Sequence, residues 1–191
     1  MYEYIISITS RDRIGIVYEI STAISQLDGN IADSRQSVMC GYYSMILRTA
    51  FPESVSQRDI ERKLAEVDSG SDTSINAVVK PMELLPAGDS DPENNYVLTA
   101  SGTDQIGLVA TVAKFCVDHQ INILDLSTTL SNGEFVMIFI VDLARCGSIK
   151  ELRQALTAFA EEKKLNVVLQ HHDIFKAVND ISFPIRPIQE V

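Results

Sequence analysis

Two short segments carry the residue types that could do chemistry: Asp12-Arg13-Ile14-Gly15 and Asp104-Gln105-Ile106-Gly107. Each stands between an apolar stretch of strand length and a run with helical periodicity. An aspartate there can accept hydrogen bonds from the first free amides of a helix. A glycine in the first turn has no Cβ, so backbone or a ligand can approach closely. A helix start with exposed amides and the positive end of its dipole attracts a carboxylate. The nearby aspartate could hold an ammonium. A zwitterionic amino acid needs both features a few ångströms apart. Charge-assisted hydrogen bonds contribute about 1.5–3 kcal/mol each, so two or three, less the cost of association, support binding between millimolar and micromolar. The same spacing also fits plain helix capping.

The two segments are 92 residues apart, and so is much else. At that shift Tyr4 meets Tyr96, Val17 meets Val109, Asn30-Ile31 meets Asn122-Ile123, Asp33 meets Asp125, and Met45-Ile46 meets Met137-Ile138. Residues 4–51 show 11 identities without a gap. Local structure signals recur at the same shift, which marks two copies of one unit. Boundaries at 1–84 and 95–172 follow, joined by a linker at 85–94 rich in Pro, Gly, Asp and Asn, with an arm at 173–191.

The elements that must position these segments can be read from periodicity. Tyr4–Ile8 and Tyr96–Ala100 suit buried strands. The turns Ser10–Arg13 and Gly102–Gln105 follow. Ile16, Val17, Ile20, Ala23, Ile24 and Leu27 then fall on one helix face, matched by Leu108, Val109, Val112, Phe115 and Cys116. Asn30 and Asn122 open second strands. Cys40-Gly41 and Asn132-Gly133 sit where a two-residue hairpin requires positive φ. Third strands, Tyr42–Phe51 and Phe135–Val141, lead to S-x-x-[DE] capping boxes at Ser56 and Ser148. Second helices carry stripes of Ile60, Leu64 and Val67, or Leu152, Leu156 and Phe159. Thr73–Val79 and Asn166–Leu169 close the units. The predicted fold is α+β: two ferredoxin-like βαββαβ domains in tandem, each a four-stranded antiparallel sheet with two helices on one face. Each unit leaves sheet edges and one sheet face to cover, which favours pairing of the halves and a homodimer, with the arm around Phe183 contributing.

Composition narrows the partners. The 191 residues carry 16 Lys plus Arg against 26 Asp plus Glu, a formal charge of −10. Such a chain repels phosphate backbones and anionic lipid, and no basic stripe is present, so neither nucleic acid nor membrane is an expected partner. The N-terminus lacks a basic n-region, no apolar run reaches membrane-spanning length, and Cys40, Cys116 and Cys146 form no CxxC pair. A cytoplasmic protein with reduced thiols is expected. Asp33 and Asp125 are expected to face solvent or to pair with a basic neighbour. His171-His172 lack a third ligand for a metal and are expected to face solvent, and no metal or cofactor is expected. Cys116 reads as a small core residue. No nucleophile elbow, zinc motif or phosphate-binding loop occurs, which argues against an enzyme.

Asp12-Arg13-Ile14-Gly15-Ile16-Val17 with Gly29-Asn30-Ile31 resembles the signature of ACT domains, small-molecule-sensing modules of amino-acid metabolism. Asp104-Gln105-Ile106-Gly107-Leu108-Val109 with Ile121-Asn122-Ile123 resembles it too. The double copy is similar to the tandem-ACT family related to the glycine cleavage system transcriptional repressor. Ile14 and Ile106 replace a common proline, and Gln105 replaces the basic residue, which sets the second copy apart. The resemblance implies a non-catalytic regulatory protein that binds a small amino acid, glycine or serine. Its ligand residues would be Asp12, Arg13, Gly15 and Asn30 in one copy and Asp104, Gln105, Gly107 and Asn122 in the other. Asn30 and Asn122 could equally hydrogen-bond the turn before strand two. If the protein controls transcription, it is expected to contact another regulator protein, not the duplex. A ligand-free interaction module is the competing reading.

Overall fold

The computed structural model describes residues 1–67, 75–83, 92–131 and 133–179. The chain divides into two compact units, Met1–Leu85 and Pro86–Val191. In the first, β1 (Tyr2–Arg11), α1 (Ile16–Ser25), β2 (Asn30–Met39), β3 (Tyr42–Phe51), α2 (Gln57–Glu66) and β4 (Asn76–Pro81) follow one another. In the second, a 3-10 turn at Pro92–Asn94 leads into β5 (Asn95–Thr103), α3 (Leu108–Asp118), β6 (Asn122–Ser131), β7 (Glu134–Asp142), α4 (Ile149–Lys163), β8 (Asn166–His171) and α5 (His172–Asn179). Each unit holds a four-stranded sheet, in the orders β2-β3-β1-β4 and β6-β7-β5-β8, with every pair antiparallel. This is the βαββαβ order expected from the repeat.

Alternation along the central strands decides which face is buried. Tyr4, Ile6 and Ile8 of β1 and Met45, Leu47 and Phe51 of β3 point to the helices, and the intervening residues do not. Ile20 and Ile24 of α1 and Ile60 and Leu64 of α2 close this core. Each such side chain contributes about 1.5–3 kcal/mol on full burial. Leu98, Met137 and Phe139 meet Val112, Leu152 and Leu156 in the second unit. Val17 departs from its expected place on the apolar stripe and is exposed.

The strands run past the turns expected for them. Ser10 and Arg11 pair with Tyr43 and Tyr42, and Gly102 and Thr103 with Phe135 and Glu134, because the ladder continues as long as the neighbouring strand offers partners. β4 begins at Asn76; the expected start at Thr73 lies outside the described residues, as do Asn132 and the arm from residue 180, Phe183 included. The β2–β3 hairpin takes positive φ at both turn residues, 51° at Cys40 and 79° at Gly41, the pair of values a type I′ turn requires. Gly133 has the same φ of 79°.

The start of the arm is helical. α5 packs back against β5 and β8 of its own unit. Phe175, Val97 and Ile140 are buried there, outside the core formed by the other helices. His172 is buried and His171 half-buried, its ring edge-on to Tyr96 at 5.1 Å, so the expected pair of solvated histidines is corrected by the turn of α5 against the sheet. Among the described residues no helix is long and apolar enough to cross a membrane.

Candidate functional site

The strand-to-helix turn is built by glycine, not by aspartate. The N-cap of α1 is Gly15, with φ 93°, and that of α3 is Gly107, with φ 85°, and neither helix start receives a side-chain cap. Both values lie in the left-handed region, which glycine enters without the Cβ penalty. The capping role expected for Asp12 and Asp104 is therefore corrected. The chain reverses three residues later, and both carboxylates are left exposed. Gly15 and Gly107 are exposed as well. A Cβ at Gly107 would meet nothing within 4 Å, so the close-approach argument rests on open space in front of the helix start.

The first copy stitches this turn to its surroundings. The Asp12 backbone N–H donates to the Gly41 carbonyl at 2.9 Å, tying the turn to the β2–β3 hairpin. The Arg13 guanidinium donates to both carboxylate oxygens of Glu19, one turn into α1, at 2.7 and 2.6 Å. Such a bidentate pair fixes direction as well as charge. Beneath the turn lies Tyr43, 2% exposed, whose hydroxyl lies 3.0 Å from Gln36 Oε1 and 2.8 Å from Met45 Sδ. Burial pushes the Tyr43 hydroxyl pKa up, and the Asp12 charge adds to that.

The second copy keeps the backbone and changes the side chains. At the 92-residue shift, Arg13, Glu19, Gln36 and Tyr43 become Gln105, Thr111, Thr128 and Phe135. Thr111 turns its hydroxyl inward to the Gly107 carbonyl at 3.0 Å. Asn30 and Asn122 open β2 and β6 and are exposed in both copies.

Asp33 and Asp125 are exposed, as expected, and each has a job that sequence reasoning did not assign. A bulge breaks the β2 and β6 registers just before them, and each carboxylate accepts the next backbone N–H, from Ser34 at 2.7 Å and Leu126 at 2.9 Å. The bulge leaves an amide out of the ladder, and a local side chain satisfies it. The Tyr43–Gln36 pair was also missed. It depends on the register of β2 against β3, which residue order does not show. Cys116 is a core residue, its thiol pKa pushed up to about 11 by burial; burial also raises that of Cys146, while Cys40 is exposed at the hairpin. Among the described residues no three His, Cys, Asp or Glu side chains gather.

Comparison with known proteins gives this geometry its context. The sequence pattern of the ACT domain matches residues 3–76 and again 95–170. The chain belongs to the ACT domain family. A UPF0237 protein of Neisseria meningitidis serogroup B is 40% identical over 91 residues, 46% of this chain and 99% of that protein. One from Methanocaldococcus jannaschii is 35% identical over 89 residues, 46% of this chain and 99% of its own length. Among solved structures, an unknown protein from Galdieria sulphuraria has a TM-score of 0.68 at 22% identity, covering 88% of this chain and 97% of that one. A protein provisionally described as a glycine cleavage system transcriptional repressor has a TM-score of 0.66 at 19% identity, covering 88% and 96%. At such identities the likeness is one of fold. This ACT chain thus carries both copies of a unit that the UPF0237 relatives match once.

Proposed function

We propose that this ACT-domain chain is a non-catalytic regulatory protein that senses a small amino acid and passes the signal to a protein partner. The observation that carries the reading is the doubled turn: an exposed aspartate followed by a left-handed glycine N-cap at an open helix start, in both copies. The helix amides and dipole would take the ligand carboxylate, and Asp12 or Asp104 its ammonium. Arg13, Gln105, Asn30 and Asn122 are further contacts in this proposal. Glycine and serine, which the resemblance to the tandem-ACT family implies, are the first ligands to test.

The formal charge of −10 supports a protein partner, a transcription regulator or an enzyme of amino-acid metabolism, over direct contact with DNA. Three free cysteines suit a reducing compartment, the cytoplasm. Homodimerisation is part of the proposal, because β2 and β6 are edge strands with largely exposed side chains. Light scattering near 42 kDa at low micromolar concentration would agree with this, and 21 kDa would exclude the dimer.

A thermal-shift and calorimetry screen across the twenty amino acids tests the sensor itself. A ligand at a hundred times its Kd adds about 2.7 kcal/mol of stability. No shift with any of them would overturn the reading in favour of a ligand-free assembly module. Gly15→Val and Gly107→Val then locate the site, by placing a β-branched side chain at the open helix start. Unchanged affinity in both would move the ligand elsewhere.

A further inference from the structure

Two cations at the start of α4 have no carboxylate to meet. Ile149, Lys150, Arg153, Gln154 and Thr157 line a groove of about 430 Å3 along this helix. Their spacing puts them on one face, all five exposed, while Leu152 and Leu156 are buried on the core side. Among the described residues no acidic side chain lines the groove, and neither the Lys150 ammonium nor the Arg153 guanidinium has an ion-pair partner. Elsewhere on the helices Arg62, Lys63, Lys114 and Lys163 each meet a carboxylate. Helix stability does not account for Lys150 either, because a cation in the first turn opposes the helix dipole. The corresponding face of α2 carries Gln57, Arg58, Glu61, Arg62 and Ala65. There Gln57 Nε2 donates to Glu61 Oε1 at 2.8 Å, and Arg62 to Asp59 at 2.8 Å. The paired cations without acids are thus a feature of the second unit.

We propose that this groove is where the second unit docks a protein partner, and that the partner presents carboxylates spaced by about one helical turn beside an apolar side chain. The spacing follows from Lys150 and Arg153, three residues apart and so neighbours on the helix surface. Ile149, 40% exposed beside them, supplies the apolar contact. That side chain favours a peptide over a nucleic acid or an anionic lipid surface. Two cations engage few phosphates, and the formal charge of −10 repels a polyanion as a whole. Opposite charges orient the two surfaces and speed their encounter, while the apolar contact slows separation. The proposal rests on the protein-partner half of the reading above and not on which amino acid is sensed.

The test uses the full chain and a fluorescein-labelled helical peptide with glutamates at i and i+3 beside a leucine, read by anisotropy at low salt. A glutamine-for-glutamate peptide and a single-stranded oligonucleotide of equal charge are the controls. The acidic peptide should bind, and the glutamine peptide at least about tenfold more weakly. Lys150→Glu combined with Arg153→Glu should weaken the acidic peptide at least about tenfold, since like charges then face each other. A lysine-for-glutamate peptide should bind that double variant and not the wild type. Lys150→Glu puts an acid in the first turn, so its melting temperature should hold or rise, and lost binding cannot come from unfolding. Arg58→Glu, at the matching place on α2, should leave the affinity within about twofold. Absence of acidic-peptide binding up to about 1 mM overturns the proposal. Equal binding of the glutamine peptide overturns it too, as does a loss that Arg58→Glu reproduces. Oligonucleotide binding that is as tight, and is lost in the double variant, overturns the peptide as occupant. A melting shift with an amino acid but no peptide binding removes this surface and leaves the sensor standing. Peptide binding without any such shift does the reverse.

Discussion

The two units share their backbone devices and differ in the side chains placed on them. Left-handed glycines start α1 and α3, positive-φ glycines turn both hairpins, and an aspartate satisfies the amide after each bulge. The Arg13–Glu19 and Tyr43–Gln36 pairs belong to the first unit, their counterparts being Gln105, Thr111, Phe135 and Thr128. So does the open-face pair of Arg48 and Glu3 at 3.2 Å, whose counterparts are Ile140 and Asn95. The second unit has no ion pair at those two positions, where Asn95 is buried, and has α5 packed on β5 and β8. Backbone conformation leaves few residue choices at a given position, whereas a surface corner leaves many. The difference between the units is therefore where distinct ligands and neighbours are to be sought.

The core differs too, in a compensating way that mutation can break. Gly29 has Ile121 as its counterpart, and Phe51 has Leu143. A Cβ at Gly29 would lie 2.3 Å from Phe51 Cε1 and 2.9 Å from Ile24 Cγ2. Phe51 is fully buried, so it cannot yield to solvent. Gly29→Ile should cost about 3 kcal/mol or more in urea unfolding, the range of severe overpacking. Adding Phe51→Leu, which copies the second unit, should restore more than half of the loss. Simple addition of the two single-mutant costs would refute the idea that these residues form one coupled volume.

That pair also shows what the sequence could and could not tell. Strand alternation, helix stripes and the 92-residue repeat reported the fold, because a period of two or 3.6 is written in residue order. Gly29 read only as part of the Gly-Asn-Ile motif before β2, since the ring it touches is 22 positions away and only folding brings it there. The aspartate cap failed for a related reason. Asp, Arg, Ile and Gly in a row do not say where the chain reverses, and a glycine able to take φ near 90° moves the helix start to itself. The Tyr43–Gln36 bond depended on the register of β2 against β3, which a bulge shifts between Ile31 and Asp33. The arm was hardest, because nothing in its own pattern names the strands α5 lies on.

A second comparison isolates the shared backbone. At Gly15 an added Cβ meets only Glu19 Oε1, at 3.5 Å, and at Gly107 nothing. Neither substitution by alanine creates a clash, so any cost comes from forcing an L-residue into the left-handed region. Gly15→Ala and Gly107→Ala should each cost about 1–2 kcal/mol in unfolding experiments. The two values should agree within about half a kcal/mol, although Arg13 and Glu19 beside the first turn become Gln105 and Thr111 beside the second. A cost confined to one unit would show that side chains, not backbone strain, govern the turn.

The smallest expected difference lies at the second helices. Ser56 and Asp59 form a full capping box on α2: the serine oxygen accepts the Asp59 N–H at 3.3 Å, and the Asp59 carboxylate accepts from the Ser56 hydroxyl and backbone at 2.6 and 3.1 Å. On α4, Ser148 makes only the first of these bonds, from Glu151 N–H at 3.4 Å. Ser56→Ala should therefore cost about 1 kcal/mol near neutral pH, and Ser148→Ala about half of that. The bond from the Ser56 hydroxyl, then that from its backbone, holds the Asp59 carboxyl below the ordinary carboxylate range. A carboxyl lowered in the folded state stabilises above its unfolded pKa of about 3.9, and the contribution is lost as pH falls through the lowered folded value. The Ser56→Ala deficit should accordingly shrink between pH 7 and pH 3, as the carboxylate that the hydroxyl serves is protonated. Paired thermal melts of the wild type and variant across that range read it directly. A deficit of constant size would mean that the serine acts on α2 through the Asp59 amide alone, as Ser148 does on α4.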